Sequence, residues 1–368
     1  MKRIFSLLLV LCLLIGLVGC GKNKDDKQAG ADTVTTDTNN NNNNNDNNDD
    51  PVGGNDQEDP GPDDVAYRHP LTGAPLENPW AGRPVAVVIP NNKGVYPHHG
   101  TSHADIFYEI EAEGSVTRCL AIISDLTGIE KLGPVRSART YFNNVAYSYN
   151  APITHCGGSP GGISGRYDSA GGATIPNWPH IDEMQMGNFF YRDTERYNSG
   201  YLWEYTLFTT GDLLKSAMEA RKYTAEVGNY DLTFGDKPST ETGESAQQIV
   251  VKFRGGKKTI VNYADGCYDM IQHGDFYKDG NTGEKVTFRN VLMLQAEQWY
   301  ENNRTYYDLI GTGTGYYACD GKIIPIKWER PTLEDSFSYY LEDGTKVTLG
   351  VGTSYIAVFG QKGSVSYQ

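Results

Sequence analysis

Between Gly21 and Asp64 almost no side chain could build a core. Composition there collapses to Asn, Asp, Gly, Thr and Pro, with an unbroken asparagine run from Asn39 to Asn45. Ordering a backbone costs roughly 1–2 kcal/mol per residue, and this stretch has no apolar area to offset it. Folding is therefore confined to positions 65–368, enough chain for roughly two domains. By random-coil scaling the 44-residue segment is a tether spanning about 35–40 Å. Twelve acids against three lysines give it nine of the chain's net 14 negative charges, and the rest is only mildly acidic. A chain without a basic excess cannot neutralise phosphates along a duplex, so nucleic acid is not an expected partner.

Ahead of the tether, Lys2 and Arg3 precede an apolar run from Ile4 to Val18. It is short and flanked like a secretory signal rather than a membrane helix. No other segment is apolar enough to cross a bilayer as a helix, which excludes a polytopic helical transporter. The run ends in Leu17-Val18-Gly19-Cys20, which resembles the bacterial lipobox. The resemblance implies cleavage before Cys20, a diacylglyceryl group on its thiol with palmitate-type chains, and attachment to the extracytoplasmic face of the cell membrane. Each buried CH₂ adds about 0.8 kcal/mol, so two or three chains hold a soluble body firmly. An ordinary cleaved signal with a chance cysteine is the alternative.

The pattern beyond the tether is α+β. Pro84–Ile89 is a continuous apolar run suited to a strand buried on both faces, and 106–110 and 118–123 read as two more strands turning through Glu113-Gly114. Helices are expected over 138–149 and, capped by Thr210, over 210–223. The segment 235–245 has breakers and no apolar anchor, and reads as an interdomain linker or a long loop. Beyond it the period becomes two, with strands at 249–253 and 286–288. Four Asp-Gly pairs (Asp265-Gly266, Asp279-Gly280, Asp320-Gly321, Asp343-Gly344) sit where hairpins would turn. The expectation is an N-terminal α/β-type domain over 65–235, with a mixed sheet and flanking helices, and a mainly antiparallel β domain over 246–368.

Several runs are similar to the YerB-like bacterial lipoproteins. They are Leu71-Thr72-Gly73, Arg83-Pro84-Val85-Ala86-Val87, Ala104-Asp105-Ile106 with Tyr108-Glu109, Glu113-Gly114 with Thr117-Arg118, the heptapeptide Gly133-Pro134-Val135-Arg136-Ser137-Ala138-Arg139, and Gly157-Gly158-Ser159-Pro160. Asp320-Gly321-Lys322, Trp328 and Leu349-Gly350 resemble the family's C-terminal signature. The resemblance spans about 68–360 and implies a lipid-anchored, two-domain protein of unknown biochemical function. One departure stands out: where the family usually has Pro-His-Asn, between Arg192-Asp193-Thr194-Glu195-Arg196 and Leu207-Phe208-Thr209-Thr210, this chain has Glu204-Tyr205-Thr206. Any role held by that His and Asn is lost here.

Arg136 and Arg139 fall at i, i+3 where a helix is expected to begin. A helix N-terminus already disfavours cations by roughly 0.3–1 kcal/mol. Two arginines there point either to a ligand carboxylate or phosphate, or to ion pairs with Asp105, Glu109, Glu111 or Glu113. Arg118 joins them as a further ligand-binding candidate. Gly157, Gly158 and Ser159, in the run His155–Gly162, would form either an anion nest or a tight surface turn, and they match no phosphate-loop spacing. Cys156 beside His155, and Ser159 with His155 and Asp168, are the residues a nucleophilic enzyme would use. Strand neighbours point to opposite faces, however, and no hydrolase signature accompanies them. His98, His99 and His103 lie in a loop-like stretch and read as solvated. No metal site or cofactor is expected. Cys119, Cys156, Cys267 and Cys319 are compatible with no, one or two disulfides. Trp178, Trp203, Trp299 and Trp328 serve either core packing or a carbohydrate or peptide groove.

The reading that results is a non-enzymatic envelope lipoprotein binding an anionic ligand, a cell-wall component or an envelope protein through an arginine-containing cleft. Two alternatives remain. One is an envelope enzyme acting on a cell-wall or phosphate-bearing substrate with Glu109 or Glu113 as acid/base. The other is a protein-interaction scaffold with structural arginines.

Overall fold

A computed structural model describes residues 66–159, 179–226 and 228–368. Cys20 with its signal segment, the Asn/Asp-rich tether, Asp168, Trp178 and the glycine run from Pro160 onward lie outside the described residues.

The N-terminal half is built on β1 (Val85–Asn91), β2 (Ile106–Glu111) and β3 (Thr117–Ile123), in which nearly every residue is buried. Gly114, at φ +71°, makes the turn between β2 and β3. Helix α1 (Thr140–Ser148) follows, then β4 (Ile153–His155), β5 (His180–Asp182) and α2 (Gly211–Ala220). Thr210 caps α2 as its spacing requires, its hydroxyl accepting from the Leu213 N–H at 3.1 Å.

The C-terminal half is almost all strand: β6 (Gln248–Lys252), β7 (Lys258–Ala264), β8 (Cys267–Gln272), β9 (Asn290–Gln295), β10 (Gly311–Cys319), β11 (Lys322–Arg330), β12 (Ser354–Phe359) and β13 (Ser364–Tyr367). Two of the four Asp-Gly pairs are two-residue hairpin turns. Asp265-Gly266 (φ 50° and 81°) joins β7 to β8, and Asp320-Gly321 (φ 54° and 70°) joins β10 to β11. Asp279-Gly280 is different. The Asp279 carboxylate accepts from the backbone N–H of Gly100 at 3.0 Å and from the N–H and hydroxyl of Ser102 at 2.9 and 2.8 Å, so it fastens the two halves together.

The two halves share the largest sheet. One eleven-stranded sheet runs from Glu244–Ser245 through β11, β10, β9, β12, β2, β3, β1 and β4 to β5, with Ser338–Tyr340 pairing beside β11 as its eleventh strand. Strand β12 lies between β9 and β2 and is parallel to both, with Ile356 opposite Leu292 on one side and Tyr108 on the other. Such long-range parallel pairing leaves no local sequence signal. The segment read as a linker is tied down in the same way. Thr233–Gly235 pairs with Thr348–Gly350, Glu244–Ser245 pairs with β11, and the buried Thr240 hydroxyl donates to the Cys319 carbonyl at 3.1 Å. Main-chain pairing supplies the anchorage that its side chains lack.

Alternation along β2 sorts the core into two faces. Ile106, Tyr108 and Ile110 pack with Tyr141, Phe142, Val145 and Tyr149 of α1 and the residue after it. Phe107 packs on the opposite face with Leu214 and Ala217 of α2 and with Ile249, Val251, Val261 and Met270 of a six-stranded sheet. Glu109 and Glu111 therefore belong to the second face. Arg118, in step with Leu120 and Ile122, belongs to the face that α1 covers.

Because β12 is shared, residues 66–368 are expected to unfold in urea as one cooperative step seen identically by fluorescence and far-ultraviolet circular dichroism. Ile356→Ala should lower the unfolding free energy of that single transition by about 2–5 kcal/mol and move its midpoint down accordingly. Two transitions, with only the later-melting one moved by Ile356→Ala, would contradict a shared sheet.

Candidate functional site

Three arginines converge where α1 begins. Arg139 is its N-terminal flanking residue, extended at φ −135°, ψ 158°, and is 8% exposed. Its Nε and Nη2 clasp the Glu113 carboxylate at 2.8 and 2.6 Å, and its Nη1 donates to the Ala138 carbonyl at 2.8 Å. Arg118 reaches across from β3 and donates to the Ser137 carbonyl at 2.6 Å. Arg136 is more open: its side chain, 26% exposed, pairs at 3.0 Å with Glu204, itself 43% exposed.

The glycine run closes the site from the side. Cys156 N–H donates to the Arg136 carbonyl at 3.2 Å, and Ala138 N–H donates to the Gly157 carbonyl at 3.0 Å. Gly157 adopts φ +59°, which a side chain would strain, and its N–H is held by Asp182 at 2.9 Å. Ala138 bridges to Gly158, and Ser159 beside it is buried. The structure thus brings together Arg118, Arg136, Arg139, Glu113, Gly157, Gly158 and Ser159. The Gly157 N–H and carbonyl are already engaged, so the run acts first as a brace for the arginine segment.

Glu109 is elsewhere, for the reason alternation gives: it points to the other face of β2. There it is fully buried and accepts from Asn91 at 2.9 Å, Thr117 at 2.5 Å, Thr259 at 2.7 Å, Gln272 at 3.0 Å and Tyr355 at 2.7 Å, with Lys257 at 3.4 Å. Burial would raise its carboxyl, but the Lys257 charge and these hydrogen bonds hold it below the ordinary glutamate range. Burial also works against the charge on Glu113, and there the hydrogen bonds and charge of Arg139, with Arg118 behind them, win and lower it. Neither glutamate is poised to donate a proton. Nor does Asp105 meet the arginines; it accepts from the Ser124 N–H at 2.7 Å.

The charges in the cluster are unequal. Three guanidiniums face the carboxylates of Glu113 and Glu204. Burial, then repulsion from Arg139, pushes Arg118 down to about 9, with Tyr141 and Glu113 opposing only in part and Arg136 adding to the repulsion. Tyr141, wholly buried beside them, has a hydroxyl without a hydrogen-bond partner among the described residues. Tyr205 carries the cluster to the surface. Burial raises its hydroxyl, as does Glu204, while Arg136 and Arg118 pull it back. Tyr205 also lines an open groove of about 550 Å³ with Lys93, Gly94, Tyr96, Tyr201 and Leu202. The groove and the Glu204 pairing were not read from the sequence; their one trace was the unusual Glu204-Tyr205-Thr206 tripeptide.

The nucleophile candidates are not set up to react. His155 is buried, with Nδ1 on the Gly157 carbonyl at 2.8 Å, and Cys156 turns the other way to donate to Glu183 at 3.2 Å. Burial and the Glu183 carboxylate push that thiol up to about 12, so the thiolate a nucleophile needs is disfavoured. His98 corrects the picture of solvated histidines. It is fully buried, stacks on Tyr96 and bonds the Tyr277 hydroxyl at 2.9 Å. His99 bonds Asn281 at 2.9 Å. Among the described residues no three His, Cys, Asp or Glu side chains gather as a metal would require, and Cys119, Cys156, Cys267 and Cys319 are free thiols. Trp328 packs in the core, whereas Trp203 is exposed.

Comparison with known proteins places this geometry in a family. The N-terminal model of the family described as protein of unknown function (DUF3048) matches residues 71–224, and its C-terminal model matches 249–356. The protein named "Putative lipoprotein YerB" of Bacillus subtilis (strain 168) is 30% identical over 290 residues, which cover 74% of this chain and 82% of that protein. The chain belongs to the YerB-like family. The crystal structure of YerB protein from Bacillus subtilis matches with a TM-score of 0.68 at 27% identity, over 81% of this chain and 99% of that one. The family's biochemical function is unknown.

Arg139→Ala strands the largely buried Glu113 carboxylate and should cost about 3 kcal/mol or more in urea unfolding. Arg136→Ala, which breaks a surface pair, should cost about 1 kcal/mol or less; equal costs would contradict the contrast drawn here. Burial, aided by Arg196, lowers His98 to about 3, so the unfolded chain binds a proton the folded one refuses between about pH 6.5 and 3. The stability contributed by neutral His98 is complete above pH 6.5 and lost as the pH falls through that window. The urea midpoint should drop from pH 7 to pH 4, and His98→Gln should shrink that drop even though its midpoint at pH 7 is lower.

Proposed function

We propose that the protein is an envelope lipoprotein, anchored in the membrane through Cys20. Its folded part binds an anionic ligand, a cell-wall component or an acidic partner surface at the Arg118–Arg136–Arg139 cluster, without catalysis. One observation carries the ligand reading: three guanidiniums meet two carboxylates, Arg118 is answered by the Ser137 carbonyl, and Arg136 stays accessible. An anion would supply the missing charge through bidentate contacts to Arg136 and to the side of the cluster that Glu113 leaves free. The same geometry speaks against the enzyme alternative, since Glu109 and Glu113 are both held ionised and Glu109 faces away. The scaffold alternative fits Arg139 but not the open Arg136. Anchoring rests on the lipobox-like Leu17-Val18-Gly19-Cys20 and on the lipoprotein name of the Bacillus subtilis relative.

Thermal unfolding in the presence of phosphate, dicarboxylates, muropeptides and teichoic-acid fragments, at fixed ionic strength, tests the site. A ligand at 100 times its dissociation constant stabilises by about 2.7 kcal/mol. The shift should appear with at least one anion and vanish in Arg136→Ala, a variant that stays folded. Absence of any shift across the panel would remove the ligand reading. For the anchor, Cys20→Ala should abolish labelling by radioactive palmitate and leave the apolar 4–18 segment attached, read as a larger intact mass. Palmitate labelling that persists in Cys20→Ala would contradict lipidation at Cys20.

A further inference from the structure

Next to the arginine cluster, a short stretch of chain presents apolar and aromatic side chains to solvent. Leu202 is 60% exposed, Trp203 52% and Tyr197 49%. They are neighbours on one surface: Tyr197 meets the Trp203 ring edge-on at 5.4 Å, Arg192 covers one face of the Trp203 ring at 4.9 Å, and Leu202, next to Trp203 in the chain, opens into the groove that Tyr205 lines. Exposed apolar side chains grouped in this way mark an interaction surface. The groove, at about 550 Å³, lies within the roughly 300–1,000 Å³ range of small-ligand sites.

The polar atoms of the groove indicate what would fill it. The hydroxyls of Tyr96 and Tyr201 are turned away into the protein. Tyr96 donates to the Asn91 side chain, and Tyr201 donates to the Tyr96 carbonyl at 2.8 Å. His98 stacks on the Tyr96 ring at 4.4 Å and Arg196 lies over the Tyr201 ring at 4.0 Å, so what remains for a ligand is the ring surface these leave uncovered, the main chain at Ser199 and Gly200, and the Lys93 ammonium. Arg136, with its exposed partner Glu204, stands beside Tyr205 at the other side. Ring faces suit the C–H-bearing faces of a sugar. Adjacent cations suit a carboxylate, and a hydrogen-bonding Arg–Glu pair suits hydroxyl and amide groups.

We infer that the groove over Tyr96, Tyr201, Leu202 and Tyr205, extended by Trp203 and Tyr197, binds a carboxylate-bearing saccharide. Its sugar rings lie on the aromatic platform and its carboxylate meets Arg136. This rests on the anion-binding reading of the arginine cluster and adds to it the class of ligand.

The probes are the disaccharide of N-acetylglucosamine and N-acetylmuramic acid, the neutral disaccharide chitobiose, D-lactate as a bare carboxylate, and a decaproline peptide. Each is titrated into the protein while tryptophan fluorescence and thermal unfolding are followed. The muramyl disaccharide should saturate both signals. Trp203→Ala, exposed and outside the core, should weaken it at least ten-fold in the thermal assay without altering the response to D-lactate. Arg136→Ala should remove the advantage of the muramyl disaccharide over chitobiose. If D-lactate or phosphate binds but neither disaccharide improves on it, the saccharide inference fails while the anion site stands. If decaproline alone saturates the fluorescence signal, the groove takes an extended peptide and the inference is overturned. If no probe and no anion acts, both readings fail together.

Discussion

The insertion of β12 between β2 and β9 is the constraint on which the rest of the structure depends. Six residues far along the chain complete the sheet between β9, about 60 residues earlier, and β2, about 250 residues earlier, and every one of the six is buried. Main-chain hydrogen bonds on both sides make the two halves one cooperative body. Asp279 at Gly100 and Ser102 adds to that coupling, as does Glu109 at Lys257, Thr259, Gln272 and Tyr355. With β2 and β3 fixed in this way, the turn between them holds Glu113 and the start of β3 holds Arg118. Those two positions give the arginines of the α1 entrance their places.

The charge pattern of the site follows from that scaffold. Arg139 is spent internally: it is buried, bidentate and needed to keep Glu113 ionised. Arg118 is buried among cations and bonded to a carbonyl. Arg136 remains, partly open and joined to an exposed Glu204 side chain that an incoming anion can displace. Buried charge of one sign is costly unless answered, and two carboxylates answer three guanidiniums only in part. The neighbouring groove, with its tyrosine hydroxyls turned inward, gives this positive region an apolar wall.

Much of this was legible in the sequence, and what was not has physical causes. The apolar run at 84–89, the alternation at 106–110 and 118–123, and the Thr210 cap are local signals, and each element formed within a few residues of its expected place. Arg136 and Arg139 were legible as a pair because helical spacing is local too. Glu109 and Arg118 fall on opposite faces because the register sets Arg118 opposite Ile110 and Glu109 opposite Cys119, a pairing that neither strand's own alternation specifies. Partnerships across long sequence separations left no trace: β12 with β2, Lys257 with Glu109, Glu204 with Arg136. The segment 235–245, which reads as a linker or a long loop, is held by backbone pairing and a single threonine hydroxyl, contacts that leave no local signal for the same reason. His98 reads as solvated because it lies in a loop-like stretch, yet it is buried against Tyr96 and against Tyr277 from the other half.

The central claim, that the arginine cluster is under-neutralised and takes up an anion, can be observed at the guanidiniums themselves. Nitrogen-15 labelled protein would be titrated with inorganic phosphate at constant ionic strength, and the arginine Nε–Hε resonances followed by NMR. The account predicts saturable shifts at Arg136 and Arg118, with Arg139 nearly unmoved because Glu113 already fills its fork. Shifts that never saturate, or that fall on surface arginines remote from α1 while Arg136 and Arg118 stay still, would contradict it.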